Sequence, residues 1–171
     1  MIEIEIENEL HDKGYNLIAC IDEVGRGCLA GDVLACAVIM PKGIMIPEVN
    51  DSKKLSPKKR EELYEKIVDK AIAIGIGRIG PETIDKINIK ESTRLAMKEA
   101  ALNLIDKNDN IITPDYLLID GYSWPGITIE HQGVIGGDAL SLSIAAASIF
   151  AKVTRDQMMI KADKLFPGYG V

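Results

Sequence analysis

Apolar and acidic residues alternate from Met1 to Glu9, a pattern that predicts an exposed edge strand or an unordered start. Asn16–Asp22 (NLIACID) replaces the alternation with a short apolar run ending in acids, which predicts a buried strand. A glycine-rich turn follows from Gly25 to Gly31. A second apolar run, Val33–Met40 (VLACAVIM), stops at Pro41-Lys42-Gly43. The two runs predict adjacent strands or a paired hairpin.

Beyond this point the period lengthens. Ser56-Pro57 has the form of a helix start, with a capping hydroxyl and a proline in the first turn. Leu63, Ile67 and Ala71 recur every four residues, so Lys58–Lys70 is expected to be an amphipathic helix. Ala71–Ile79 alternates as a strand does. Glu91–Asp106 predicts a second helix, Tyr116–Asp120 (YLLID) a strand that again ends in an acid, and Ala139–Leu165 a long helix. The first half of that last helix is almost wholly small or apolar, which is the profile of a buried helix. No repeat, low-complexity tract or interdomain linker interrupts the series. The expectation is an α/β fold, a mixed central sheet flanked by helices, with residues 1–171 forming a single domain.

Composition refines this picture at a few points. Aromatic residues make up only 5% of the 171 residues, so the core must be built from Ile, Leu, Val and Ala. The net charge of -6 gives no general affinity for nucleic acid, but phosphate binding depends on local clustering. One cluster is Lys53, Lys54, Lys58, Lys59 and Arg60; a sparser one is Lys152 and Arg155. Lys53 and Lys54, in the loop after Asp51, are the better phosphate contacts of the first cluster. Lys152 and Arg155 share one helical stripe, either to orient nearby acids, to touch phosphate or to form surface ion pairs. Cys20, Cys28 and Cys36 contain no CxxC pair and are expected as buried small hydrophobes in a reducing compartment. No apolar run approaches membrane-spanning length, and the acidic N-terminus lacks the shape of a signal peptide. A cytoplasmic protein is expected.

The acids at the strand ends carry the chemistry. Asp22-Glu23 and Asp120 each terminate an apolar strand, and Asp138 follows Gly136-Gly137 at the start of the buried helix. Strand ends of α/β sheets are where ligand sites collect. Carboxylates gathered there repel one another, and hard cations such as Mg²⁺ or Mn²⁺ resolve the repulsion. Two such ions, about 3.5–4 Å apart, can flank a phosphate during hydrolysis. Asp138 could equally be a helix cap and Asp120 a turn residue. Asp22 is harder to explain structurally, because it ends an unbroken apolar run. Gly25-Arg26-Gly27, just past the acid pair, offers backbone amides and a bidentate guanidinium to a phosphate or sugar.

DEVGRG at Asp22–Gly27 continues to LAG at Leu29–Gly31, and the whole resembles the opening motif of ribonuclease HII. So do DSKKLSPKKREEL at Asp51–Leu63, INI at Ile87–Ile89, LLIDG at Leu117–Gly121 and GDALSLSIAAASIFAKVTRD at Gly137–Asp156. FPGYG at Phe166–Gly170 is similar to the family's later substrate motif. These blocks follow the family order along nearly the whole chain.

The resemblance implies a ribonuclease H-like fold. It also implies hydrolysis of the RNA strand of RNA–DNA hybrids, including single ribonucleotides embedded in DNA, with two Mg²⁺ or Mn²⁺ ions. The products would carry a 5′-phosphate and a 3′-hydroxyl. Asp22, Glu23, Asp120 and Asp138 match the family's catalytic, metal-holding carboxylates, with Asp22 bridging the ions. Gly25, Arg26 and Gly27 match the loop that senses the ribose 2′-hydroxyl, the group that separates RNA from DNA. Tyr169 matches a tyrosine that stacks on the sugar of the following deoxynucleotide. A monomer is implied.

Three departures from the family pattern stand out. Gly136-Gly137-Asp138 stands where the family usually has Lys-Gly-Asp, which removes a positive charge beside the acids. Cys28 and Asp32 replace frequent prolines. Family members also continue past the tyrosine with a further helical segment, so weakened substrate binding is expected here. The alternatives are a hybrid-binding domain with lost or weak cleavage and a different nuclease on the same fold.

Overall fold

The computed structural model describes residues 2–28, 31–165 and 167. Strands β1 (Ile18–Val24) and β2 (Val33–Ile39) form where the two apolar runs predict them, and they pair antiparallel with Asp22 opposite Cys36. Strand β3 (Ala73–Ile79) joins the free side of β2, antiparallel. Strand β4 (Tyr116–Asp120) joins β1 in parallel, and a short strand β5 (His131–Val134), not legible from periodicity, lies parallel beyond it. The resulting five-stranded sheet has the order β3-β2-β1-β4-β5. It is the expected mixed α/β sheet.

Side-chain alternation along β2 divides the core between the two faces. Leu34, Cys36 and Val38 pack toward helix α2 (Pro57–Lys70) and toward Ala146, Ile149 and Phe150 of the last helix. Val33, Ala35, Ala37 and Ile39 pack with Ala96, Met97 and Ala100 of helix α3 (Pro81–Leu102). Both faces are covered, so β2 is apolar without interruption. α2 begins as expected, with the Ser56 hydroxyl accepting from the Lys59 amide at 3.2 Å. α3 starts ten residues earlier than its periodicity suggests and bends at Asn88, which has φ 71° and ψ 166°. The Asn88 side chain accepts from the Glu91 amide at 3.1 Å, capping the second half of the helix.

Two expectations are corrected. The first residues do not form a strand: Glu5–Asp12 is helix α1, with Glu7 and Leu10 buried. The alternation misleads because Ile6 and Leu10 also recur at the helical spacing of four, and their packing with Ile18, Leu118 and Ile144 favours that period. The long C-terminal helix is also broken. A short helix α4 (Gly137–Leu140) ends at Ser141, which is extended, and helix α5 (Leu142–Leu165) follows.

β3 and α3 lie backbone to backbone. A Cβ on Gly77 would sit 1.8 Å from the Ala96 carbonyl oxygen, and one on Gly75 would sit 2.0 Å from that of Ala100. Glycine at these positions lets the helix backbone lie directly on the sheet. Gly77→Ala is therefore expected to lower stability by about 2–4 kcal/mol, through backbone displacement rather than a side-chain clash. Urea unfolding monitored by circular dichroism checks this; an unchanged midpoint would contradict the packing.

Candidate active site

β1 and β4 run parallel with Ile21 level with Ile119, so Asp22 and Asp120 emerge one residue further along adjacent strands. The alternation of each strand sends both side chains toward α5. Neighbouring strands are about 4.8 Å apart, so the two carboxylates are forced together. Glu23, next in β1, turns toward them: carboxylate oxygens of Asp22, Glu23 and Asp120 all lie within 4.8 Å of one another. Asp138, at the start of α4, stands outside this triad but lines the same cavity of about 250 Å³.

Burial governs the electrostatics. Asp22 is only 5% exposed, and loss of hydration, followed by repulsion from Asp120 and Glu23, pushes its carboxyl well above the usual carboxylate range. Hydrogen bonds from the Ser148 hydroxyl and the Glu23 amide, the latter at 2.7 Å, act in the opposite direction. Asp120 is raised for the same reasons, burial first and the Asp138 charge second, while the amides of Gly137 and Asp138 favour its anion. The Gly137 amide donates to Asp120 Oδ1 at 2.7 Å. Every potential ligand here is an oxygen, and Glu23 pairs with Arg26 and Asp138 with Lys53, whereas no ion pair among the described residues involves Asp22 or Asp120. That donor set fits a hard divalent ion.

The basic residues divide by environment. Lys53 Nζ is 3.7 Å from Asp138 Oδ2, and its side chain is 82% exposed. Lys54 lies 3.9 Å from Asp51, whose side chain accepts from the Lys53 amide and shapes the loop. Lys59 is engaged by Glu48 and Glu62. Arg60 is turned inward, donating to the carbonyls of Ser52 and Leu55 at 3.0 and 2.7 Å, so it braces the loop. Lys152 lines the acidic cavity and pairs with Asp156 at 2.6 Å.

Arg155 is buried beneath the glycine-rich turn, with Nε reaching the Asp32 carbonyl at 3.4 Å. Gly25 has φ 100°, and a Cβ there would meet the Asp32 carbonyl at 2.7 Å and Arg155 Nε at 2.8 Å, so only glycine fits. Gly27 has open space around it. Arg26 remains at the rim, 3.3 Å from Glu23 and more than half exposed. Asp32, in turn, is paired with Arg78 of β3.

Cys20 and Cys36 are buried as expected, but Cys28 is exposed because the turn carries it away from the sheet. Tyr169 and most of the Phe166–Gly170 motif lie outside the described residues. Sequence reasoning did not single out Ser52 and Ser148, whose hydroxyls meet at 3.0 Å in the cavity wall. The available signal was a serine interrupting the apolar run of α5 at the level of the acids.

A mixed α/β sheet with carboxylates converging at the ends of two parallel strands defines a hydrolase of the ribonuclease H class. The family model described as Ribonuclease HII matches residues 19–171, and this chain belongs to that family. It is 55% identical over 168 residues to the ribonuclease HII of Alkaliphilus oremlandii (strain OhILAs), covering 98% of this chain and 82% of that protein. Among solved structures it resembles the ribonuclease H2 of Pyrococcus horikoshii OT3, with a TM-score of 0.71, 25% identity, and coverage of 90% of this chain and 77% of the other. It also shares its fold with Bst-RNase HIII in complex with Mn²⁺, with a TM-score of 0.62, 17% identity, and coverage of 91% and 56%.

The raised Asp22 carboxyl has a consequence for the metal-free protein. Its contribution to stability is full below the unfolded-state value, about 3.9, and is lost as pH rises through the higher folded-state value. Asp22→Asn removes that loss. In EDTA the variant is expected to be more stable than the parent by about 1–2 kcal/mol at neutral pH, with the gap closing toward about pH 4. Thermal melts across this range check it, and a parent more stable than the variant at neutral pH would contradict it.

Proposed function

We propose that this chain, acting as a single monomeric catalytic domain, cuts the RNA strand of RNA–DNA hybrids and DNA duplexes carrying single ribonucleotides. Two Mg²⁺ or Mn²⁺ ions would be held by Asp22, Glu23, Asp120 and Asp138, leaving 5′-phosphate and 3′-hydroxyl ends. The observation that carries this is the convergence of Asp22, Glu23 and Asp120 around a buried, poorly hydrated point. When bound, the ions would supply the positive charge that draws a phosphate into this acidic cavity and stabilises charge building on its oxygens.

The residues of the chain do the positioning. Asp22, Glu23 and Asp120 would hold the ions from the ends of β1 and β4, and Asp138 would hold them from the start of α4. Exposed Lys53 lines the cavity and, with Lys54 next to it in the chain, meets the phosphates entering it. Gly25, Arg26 and Gly27 present backbone amides and a guanidinium where a ribose 2′-hydroxyl would distinguish RNA from DNA. Arg155 holds that turn from below, Lys152 stands at the cavity edge, and Tyr169 stacks on the neighbouring sugar. With a net charge of -6 the affinity rests on few phosphate contacts, so it is weak and falls with salt in proportion to their number.

A labelled DNA duplex with one ribonucleotide tests this, in Mg²⁺, Mn²⁺ and EDTA. One metal-dependent cut on the 5′ side of the ribonucleotide is expected. Asp22→Asn should slow it by about 10³-fold or more. Arg26→Ala should weaken the preference for ribose over deoxyribose by about tenfold, the worth of a charge-assisted hydrogen bond. Binding that survives EDTA without cleavage in either metal would instead identify a hybrid-binding module. Unchanged cleavage by Asp22→Asn would refute the metal site.

A further inference from the structure

Helix α1 precedes residue 19, where the family match begins, and it buries a carboxylate that the proposed chemistry does not use. Glu7 is 6% exposed. Its Oε1 accepts from the Ser141 hydroxyl at 2.7 Å and from the Ser143 amide at 2.9 Å. The carbonyl of Glu3 accepts from the Leu142 amide at 3.1 Å, and the Ser141 hydroxyl accepts from the Ile144 amide at 3.1 Å. The amides that open α5 are thus satisfied by Glu3 and Glu7 from the N-terminal segment and by Ser141 itself.

A serine at the start of a helix normally caps it without help, whereas taking a carboxylate out of water is costly. Glu7 Oε2 has no hydrogen-bond partner among the described residues. Capping alone does not account for this arrangement. Its position does: Ser141 is the extended residue that separates α4 from α5, and it sets the angle between them.

From Glu7 a continuous path of hydrogen bonds reaches the acidic cavity. Glu7 Oε1 holds the Ser141 hydroxyl, the Ser141 amide donates to the Gly137 carbonyl at 2.8 Å, and the Gly137 amide donates to Asp120 Oδ1 at 2.7 Å. Asp138 rides on the same short helix. On the far side of the corner, α5 carries Ser148, which bonds Asp22. We infer that Glu7 is a positioning residue for the metal centre: it fixes the corner between α4 and α5 so that Asp120 and Asp138 converge on Asp22. This rests on the metal-centre assignment made above.

The test uses the full chain and Mn²⁺ alone, titrated calorimetrically into the parent, Glu7→Ala, Glu7→Gln and Ser141→Ala. Glu7→Ala should raise the Mn²⁺ dissociation constant by about tenfold, the usual effect of removing a partner behind a ligand. Glu7→Gln keeps an acceptor for the Ser141 hydroxyl and should recover most of the affinity. Hydrogen exchange of the Gly137 and Ser141 amides in EDTA should accelerate in Glu7→Ala. On a hybrid substrate, kcat should fall while KM holds. Should Glu7→Ala fail to fold, Ser141→Ala breaks the same link and should weaken Mn²⁺ binding in the same direction. Folded variants that bind Mn²⁺ as the parent does would overturn the inference alone. A parent that binds no Mn²⁺ would overturn the metal-centre assignment and this inference with it.

Discussion

Asp22 and Asp120 are held side by side by the register of two parallel strands, and neither can withdraw. Separating them would mean shifting β1 against β4, and a shift of one residue would exchange the side chains packed on α3 with those packed on α5. The repulsion is therefore a property of the sheet rather than of the local side chains. Asp22 also feels it while almost fully buried. The surroundings are organised to tolerate negative charge: the Gly137 amide, the Glu23 amide and the Ser148 hydroxyl all point at carboxylate oxygens. They reduce the strain without neutralising it, which leaves the site suited to cations.

Close packing of the layers keeps this arrangement rigid. The glycines of β3 admit the backbone of α3 onto one face, and the small residues from Ala145 to Ala147 let α5 lie tightly against the other. α5 thereby brings Ser148 to the end of β1. A sheet covered on both faces by such close helices has few ways to relax around a charged cluster, so the cost of burial is borne by the carboxylates themselves.

The rim of the cavity is built on a different principle. The turn at Gly25 is pinned by Arg155 from beneath and by the Asp32–Arg78 pair at its far end. Arg60 anchors the loop bearing Lys53 and Lys54. In each case an inward-facing arginine stabilises backbone carbonyls, while Arg26, Lys53 and Lys54 keep their charged ends in water. These positive residues thus fall into inward braces and exposed charges, although they look alike in the sequence.

Most of the fold was legible because its strands are short, apolar and sharply bounded, and because Ser56-Pro57 announces its helix locally. The acids at the ends of NLIACID and YLLID could be recognised as a pair for the same reason, since each terminates a run that must be buried. The first helix was not legible, because two periods fit Ile6 and Leu10 equally well until the rest of the core selects one. The break at Ser141 was missed too, because the apolar run continues across it; there Glu7, far away in sequence, accepts from the Ser141 hydroxyl and the Ser143 amide. The sequence by itself determined which residues carry charge into the sheet and where the strands stop. Tertiary structure alone decided that Arg155 faces inward, that Asp138 stands apart from the triad, and that Glu7 of α1 bonds Ser141 at the corner between α4 and α5. Those outcomes depend on contacts between residues up to more than a hundred positions apart, which no local pattern encodes.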